Sequence, residues 1–267
     1  MISNRKTNIF LTSILVFMIL SSCFNANFLV DRMFARMDSW MDDFEPTETQ
    51  KQEWVKLKQR LRVDVNRFLG NLHLQLMTVK GKLQKRPPDV DNTVKYIKMR
   101  LLYDYAGFQR KLLDYYVELH KILNAEQHKK LYKITLEQID KVLVYRKKNN
   151  LQFDKNIDDM VEELDLRKEQ LPHWAIVRKR IKLRAKRYAD ELVTSLTKLK
   201  KDLKLANPKV KDIVAQLQAE ISHRNTFSED SIGYYLELTE ILDEKQKNKS
   251  YSILEKKIDG FIDFLRG

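Results

Sequence analysis

The chain has 267 residues, a net charge of +13, 33% charged side chains, and only 6 Gly, 5 Pro and 1 Cys. One cysteine excludes an internal disulfide framework, and so few Gly and Pro exclude a linker-like or collagen-like chain. No alternating apolar run bounded by turn residues argues for a strand, so the expected fold class is all-α.

Residues 1–22 read as a secretory signal. Arg5 and Lys6 give a positive start, and Ile9 to Leu20 is a short apolar stretch. It falls short of the ~20 residues that span a bilayer and fits the apolar core of an export signal. Leu20-Ser21-Ser22-Cys23 resembles the bacterial lipobox. In that family the signal is cut before the cysteine, which is then acylated. Cys23, the only cysteine, is therefore the expected lipidation site, and several acyl chains anchor a protein stably. Phe24 follows where an Asp is absent, which resembles the enteric pattern of outer-membrane lipoproteins. Residues 23–27 are read as a lipidated tether.

A short amphipathic helix is expected over about 28–41, with Met33, Met37, Trp40 and Met41 on its apolar side. The next helix, from 47 to about 85, has a seam stepping by threes and fours: Trp54, Leu57, Leu61, Val65, Phe68, Leu72, Leu76, Val79, Leu83. Pro87-Pro88 ends it, because proline cannot continue the ladder and restricts its predecessor. A third helix is expected over 89–123 with the seam Val94, Ile97, Leu101, Tyr105, Phe108, Leu112, Tyr115, Leu119 and Ile122. A fourth runs from 124 to about 148, and Asn149-Asn150 reads as a boundary. The plan then repeats: a short helix over 153–164, long helices over 167–205 and 209–242, and a last one over 243–265.

The second plan is a copy of the first. Shifting the first seam by 120 gives Trp174, Val177, Ile181, Ala185, Tyr188, Leu192, Leu196, Leu199 and Leu203. Pro88 falls on Pro208. At a shift of 119, Tyr115-Tyr116 falls on Tyr234-Tyr235. An internal repeat on this scale sets the architecture. Two units are expected, 28–150 and 151–267, each of four helices. They are expected to pack against each other as a pseudo-dimer within one chain, since linkage holds two halves at high effective concentration.

Four short motifs mark the helix boundaries: Pro46-Thr47-Glu48-Thr49-Gln50, Leu123-Asn124-Ala125-Glu126-Gln127, Leu166-Arg167-Lys168-Glu169-Gln170 and Leu242-Asp243-Glu244-Lys245-Gln246. Thr47, Asn124 and Asp243 are good N-caps, each with Gln three positions on. That is the capping-box spacing, in which each side chain satisfies the other residue's backbone N–H. Arg167 cannot cap in this way, and Asp165 is expected to replace it. The role expected of Gln50, Gln127, Gln170 and Gln246 is thus structural.

Paired motifs of the form Leu-Thr-x-x-Gln, 76 to 77 residues apart in an exported helical chain, resemble the Spy/CpxP family of periplasmic proteins. The order of short and long helices and the proline-marked turn resemble it too. The resemblance covers 28–148 and 151–265. It implies thin helical hairpins that pair into a cradle, and activity as an ATP-independent chaperone, stress-signalling modulator or metal sensor. The tandem duplication, the lipid anchor, and Pro46 and Arg167 at motif positions depart from the family pattern.

Seven of the ten residues from 178 to 187 are basic. They read either as a solvated helix face or as a cationic surface for clients, with Arg178, Arg180, Arg184 and Arg187 the candidate client-binding residues. Long basic stems also cover apolar surface. The histidines His73, His120, His128, His173 and His223 form no i, i+4 pair and no expected metal site; they read as solvated or interfacial. Tyr115, Tyr116, Tyr234 and Tyr235 read as core. No nucleophile elbow, phosphate loop or Ser-His-Asp pattern is visible, so the chain is expected to be no enzyme and to need no cofactor. A high pI usually suggests nucleic acid, but export argues against it. The expected partners are unfolded or acidic proteins, with anionic lipid or polysaccharide as further acidic partners. The leading expectation is an envelope chaperone or stress adaptor anchored in the outer membrane and facing the periplasm. The alternatives are a surface-exposed helical lipoprotein that binds a host or envelope partner, and a structural spacer.

Overall fold

The computed structural model describes residues 26–85, 88–205 and 208–266, with backbone alone for 26–29, 145–157 and 160. The signal and Cys23 lie outside the described residues. The elements are α1 (Ala26–Asp43), α2 (Glu48–Leu83), α3 (Val90–Tyr96), a π-helical segment (Ile97–Leu102), α4 (Tyr103–Ile122), α5 (Ala125–Leu164), α6 (Leu171–Leu203), α7 (Val210–Glu240) and α8 (Glu244–Arg266). The fold is all-α, with no strand among the described residues.

The long helices form where the seams are continuous. Thr47 caps α2 with a full capping box, and Asn124 caps α5 in the same way. Asp89 caps α3, its side chain accepting from the Asn92 N–H. Trp54, Leu57, Leu61 and Val65 of the first seam are buried, as are Trp174 and Val177 of the second.

One expected boundary is not a break. The fourth helix and the short helix after it are a single helix, α5, which passes through Asn149-Asn150 without a turn. Asn costs a helix only ~0.7 kcal/mol against Ala, and neither Gly nor Pro interrupts the stretch.

The π segment accounts for a detail of the repeat. Gln50 and Gln127 are 77 residues apart, whereas Gln170 and Gln246 are 76 apart. The register of the repeat drops from 120 to 119 between Pro88 and Tyr115. The π segment lies inside that window, and a π turn is what one extra residue makes of an α-helix. The corresponding stretch of α7 is regular helix.

Contacts of the first half recur in the second at the shifts read from the sequence. Phe68 stacks on Phe108 with centroids 4.1 Å apart, and Tyr188 stacks on Phe227 at 4.8 Å. Lys58 pairs with Asp38, and Arg178 with Asp158. Arg60 pairs with Glu118, and Arg180 with Glu237. Even the backbone agrees: Glu45 and Asp165 both adopt positive φ, 54° and 52°.

The halves are joined by a reciprocal exchange. The far part of α8 crosses to the tip of the first hairpin, where Tyr251, Leu254 and Ile258 pack with Val79 and Leu83. The Lys80 ammonium pairs with Asp259 there. In the mirror contact, Tyr132 and Ile139 of α5 share a core with Leu199 and Leu203 of α6, and Lys200 pairs with Asp140. Between these crossings α4 and α7 lie against each other. Helix α4 therefore buries two faces. Tyr115 and Phe108 turn to α2, while Ala106, Gln109, Leu113, Tyr116 and His120 are buried besides. A single-seam pattern foresees only the first.

Candidate functional site

The four motif glutamines meet in two pairs. Gln50 donates from Nε2 to the Gln127 Oε1 (2.8 Å) and to the Ile122 carbonyl (2.8 Å). Gln127 Nε2 donates to the Phe44 carbonyl (3.0 Å) and back to Gln50 Oε1 (3.2 Å). Each glutamine oxygen also accepts from the backbone N–H of its own cap, Thr47 (2.9 Å) and Asn124 (2.8 Å). The motif is thus a clasp that ties the start of α2 to the start of α5.

The second clasp is wired alike except that its outer carbonyl comes from one residue further along, Asp165 in place of the counterpart of Phe44. Gln170 Nε2 donates to Gln246 Oε1 (2.7 Å) and the Ile241 carbonyl (2.5 Å), and Gln246 Nε2 donates to the Asp165 carbonyl (2.9 Å). Asp243 completes a reciprocal cap with Gln246. The departing third copy keeps half of the box: the Arg167 N–H donates to Gln170 Oε1 (2.7 Å). Asp165 does not become the substitute cap that the sequence suggests. It ends α5 in the left-handed region and offers its carbonyl to the clasp instead.

The basic stretch is not a free cationic face. Arg178 is held by Asp158, Arg180 by Glu237, and Arg184 by Asp230 and Glu191. The Arg184 side chain is only 13% exposed, which removes it from any client surface. Arg180 lies over the Tyr234 ring and Arg184 over Phe227. Of the four candidates, Arg187 is exposed and lines an open groove of about 670 Å³ between α6 and α7, together with Leu183, Lys186 and Lys198. Smaller grooves of about 500 and 260 Å³ lie between α2 and α4 on the first hairpin.

On the same helices large apolar side chains stand in solvent, and of these Val63 and Leu183 line the grooves. On α2 they are Val55, Val63, Leu74 and Met77, and on α6 Ile176, Leu183 and Val193. At 100° per residue Val63, Leu74, Met77, Ile176 and Leu183 fall on the face away from the buried seam, and Val55 and Val193 on its flank. Val63 and Leu183 occupy the same position of the repeat, so both halves carry the feature.

One equivalent pair is reversed in sign. In the first half Asp64 sits between the Lys111 ammonium (2.8 Å) and the Tyr115 hydroxyl. Burial alone would raise its pKa, but these two partners outweigh it and hold it low. In the second half the same place holds Arg184 facing Asp230. Asp64→Arg alone is expected to cost about 1–3 kcal/mol, since it sets two cations side by side. Adding Lys111→Asp should recover most of that loss in urea unfolding. Failure of the double variant to recover would show that the two sites are not interchangeable.

Of the two readings of the histidines, His120 takes the interfacial one: it is buried between α4 and α5. Its ring packs at 4.5 Å from His128 and 4.9 Å from Tyr116, and His128 Nε2 meets the His120 carbonyl at 2.8 Å. Burial, with a smaller push from His128, lowers the imidazole to about 4. A spacing that motif reading passes over is Glu220-Ile221-Ser222-His223, a Glu-x-x-His pair of the type that bundle di-metal sites use in duplicate. It occurs here without a second copy nearby, and no group of three or more metal-binding side chains forms among the described residues. Glu220 was missed because one acidic residue in a charged helix gives no burial signal. No described helix is long and apolar enough to cross a membrane. No family model, curated protein or solved structure matches this chain.

Proposed function

We propose that the chain is a lipid-anchored cell-envelope protein of Spy-like design that holds unfolded or acidic proteins without ATP. The observation that carries this reading is the set of solvent-facing apolar side chains on α2 and α6, of which Val63 and Leu183 line open grooves beside cations at equivalent places in the two halves. Apolar contacts of this kind hold a non-native chain, and nearby cations speed its approach. The reciprocal crossing of α5 and α8 supports a second part of the proposal: one chain supplies both halves of a family-type dimer. Attachment through Cys23, at the outer membrane and facing the periplasm, belongs to the same proposal and rests on the lipobox resemblance.

The test is suppression of aggregation by the soluble form that starts after Cys23. It is expected to keep a denatured client in solution in the absence of nucleotide. Val63→Asp with Leu183→Asp should cut that activity several-fold and leave the fold intact, as exposed substitutions cost within ~0.5 kcal/mol. Lys186→Glu with Arg187→Glu should weaken capture chiefly at low salt, because exposed charges act over ~8 Å at physiological ionic strength. Full activity in both variants overturns the client-surface reading. Reversing Arg178, Arg180 or Arg184 does not test it, because those side chains hold the halves' own carboxylates.

A further inference from the structure

Where α4 lies against α7 and α6 there is a cavity of about 80 Å³. Its walls are mostly apolar, including Leu112, Leu113, Leu192, Leu196 and Leu217. Two polar groups in it are more than nine-tenths buried and meet no hydrogen-bond partner: both carboxyl oxygens of Glu220, which is 7% exposed, and the Tyr116 hydroxyl, which is 3% exposed. A buried carboxyl of this kind is expensive when neutral and much more so when ionised.

In the first half the corresponding place falls within the π segment, where the register of the repeat changes from 120 to 119, so Glu220 has no single counterpart there.

The groups facing Glu220 do not neutralise it. On its own helix His223 and Arg224 lie close, but His223 faces Glu191 (3.5 Å) and Arg224 donates to the hydroxyls of Tyr105 and Tyr188. From α6 come Glu191, a like charge, and the Ser195 hydroxyl, which does not reach hydrogen-bond geometry. From α4 come Gln109 and Tyr116. The π segment also touches α7, with Lys98 and Arg100 exposed.

We infer that Glu220 is a proton-operated latch between the two halves, closed when its carboxyl is neutral and loosened when it ionises in the α4–α7 seam. Burial raises the Glu220 pKa, against smaller opposing pulls from Ser195, His223 and Arg224 and with Glu191 adding to the rise. The sign follows from that direction. Below the unfolded-state value of ~4.5 both states hold the proton and the seam bears no charge penalty. As pH rises above it, the opened seam releases the proton before the closed one does. Docking is therefore weakened through that window, by up to about tenfold per pH unit for a single linked proton. What the opening would uncover is apolar: the leucine walls of α4, α6 and α7. The latch operates whether or not the protein holds clients.

The experiment is native-state hydrogen exchange between pH 4.5 and 8, corrected for intrinsic rates, on the whole soluble chain, with Glu220→Gln and Glu220→Leu alongside. Relative to Glu220→Gln, amides of α4 and of residues 213–224 in α7 of the natural sequence should lose protection with rising pH, by as much as about tenfold per pH unit. Amides beside the glutamine clasps should not. Both variants should hold the seam closed across the range, since neither side chain can ionise. His120 is common to all three proteins, so its titration cancels in the comparison. If the natural chain and Glu220→Gln lose protection in parallel, the latch is wrong. If protection falls equally in every helix, Glu220 governs global stability and the latch is again wrong.

Discussion

Gln127→Ala is expected to lower the unfolding free energy by about 3 kcal/mol. The substitution strips the Asn124 N–H of its acceptor and the Phe44 carbonyl of its donor, and takes both bonds from Gln50. Each buried group left without a partner costs ~1–3 kcal/mol. Gln246→Ala should cost as much, because Gln246 likewise serves a cap N–H, a backbone carbonyl and its partner glutamine. In a double-mutant cycle Gln50→Ala and Gln127→Ala should couple by about 1 kcal/mol or more, while Gln50→Ala and Gln246→Ala should be additive. Urea titration of the four variants measures this. Equal, small losses at all glutamines would mean that the motif only caps helices and does not clasp them.

Stability should also fall as pH drops from about 6.5 to 4. The cause is His120, whose folded-state pKa lies below its unfolded value. Above ~6.5 the ring is neutral in both states. Between ~6.5 and the folded value the unfolded chain takes up a proton that the folded one refuses, so the unfolded state gains. The loss over that window is at most about 3 kcal/mol, since each pH unit between the two values is worth ~1.4 kcal/mol. His120→Phe should flatten the slope and leave the molecule more stable at pH 5, since a ring of similar shape still packs on Tyr116 and Tyr132. Thermal melts at pH 7 and pH 5 decide it. A slope unchanged in the variant would place the acid sensitivity elsewhere.

These two sites also show how far a linear reading reaches. The duplication, the helical class, the long seams and the capping boxes are all legible in the sequence. Each depends on spacing along one helix, and local periodicity is set by the 3.6-residue turn. The one-residue difference between the two motif spacings is legible too, although the π segment that absorbs it is a structural finding.

What tertiary structure decided is everything that needs a second helix. Gln50 and Gln127 are separated by 77 residues, and their mutual bonds exist only once the hairpin closes. Arg178, Arg180 and Arg184 look like a cationic face until Asp158, Glu237 and Asp230 arrive from other parts of the fold. His120, Gln109 and Glu220 are polar residues that a hydropathy pattern assigns to solvent; they are buried because α4 and α7 are each covered on more than one side. Spacing names the face of a helix, but only packing determines what covers it, and for Gln109 and Glu220 part of that covering comes from the other copy of the repeat.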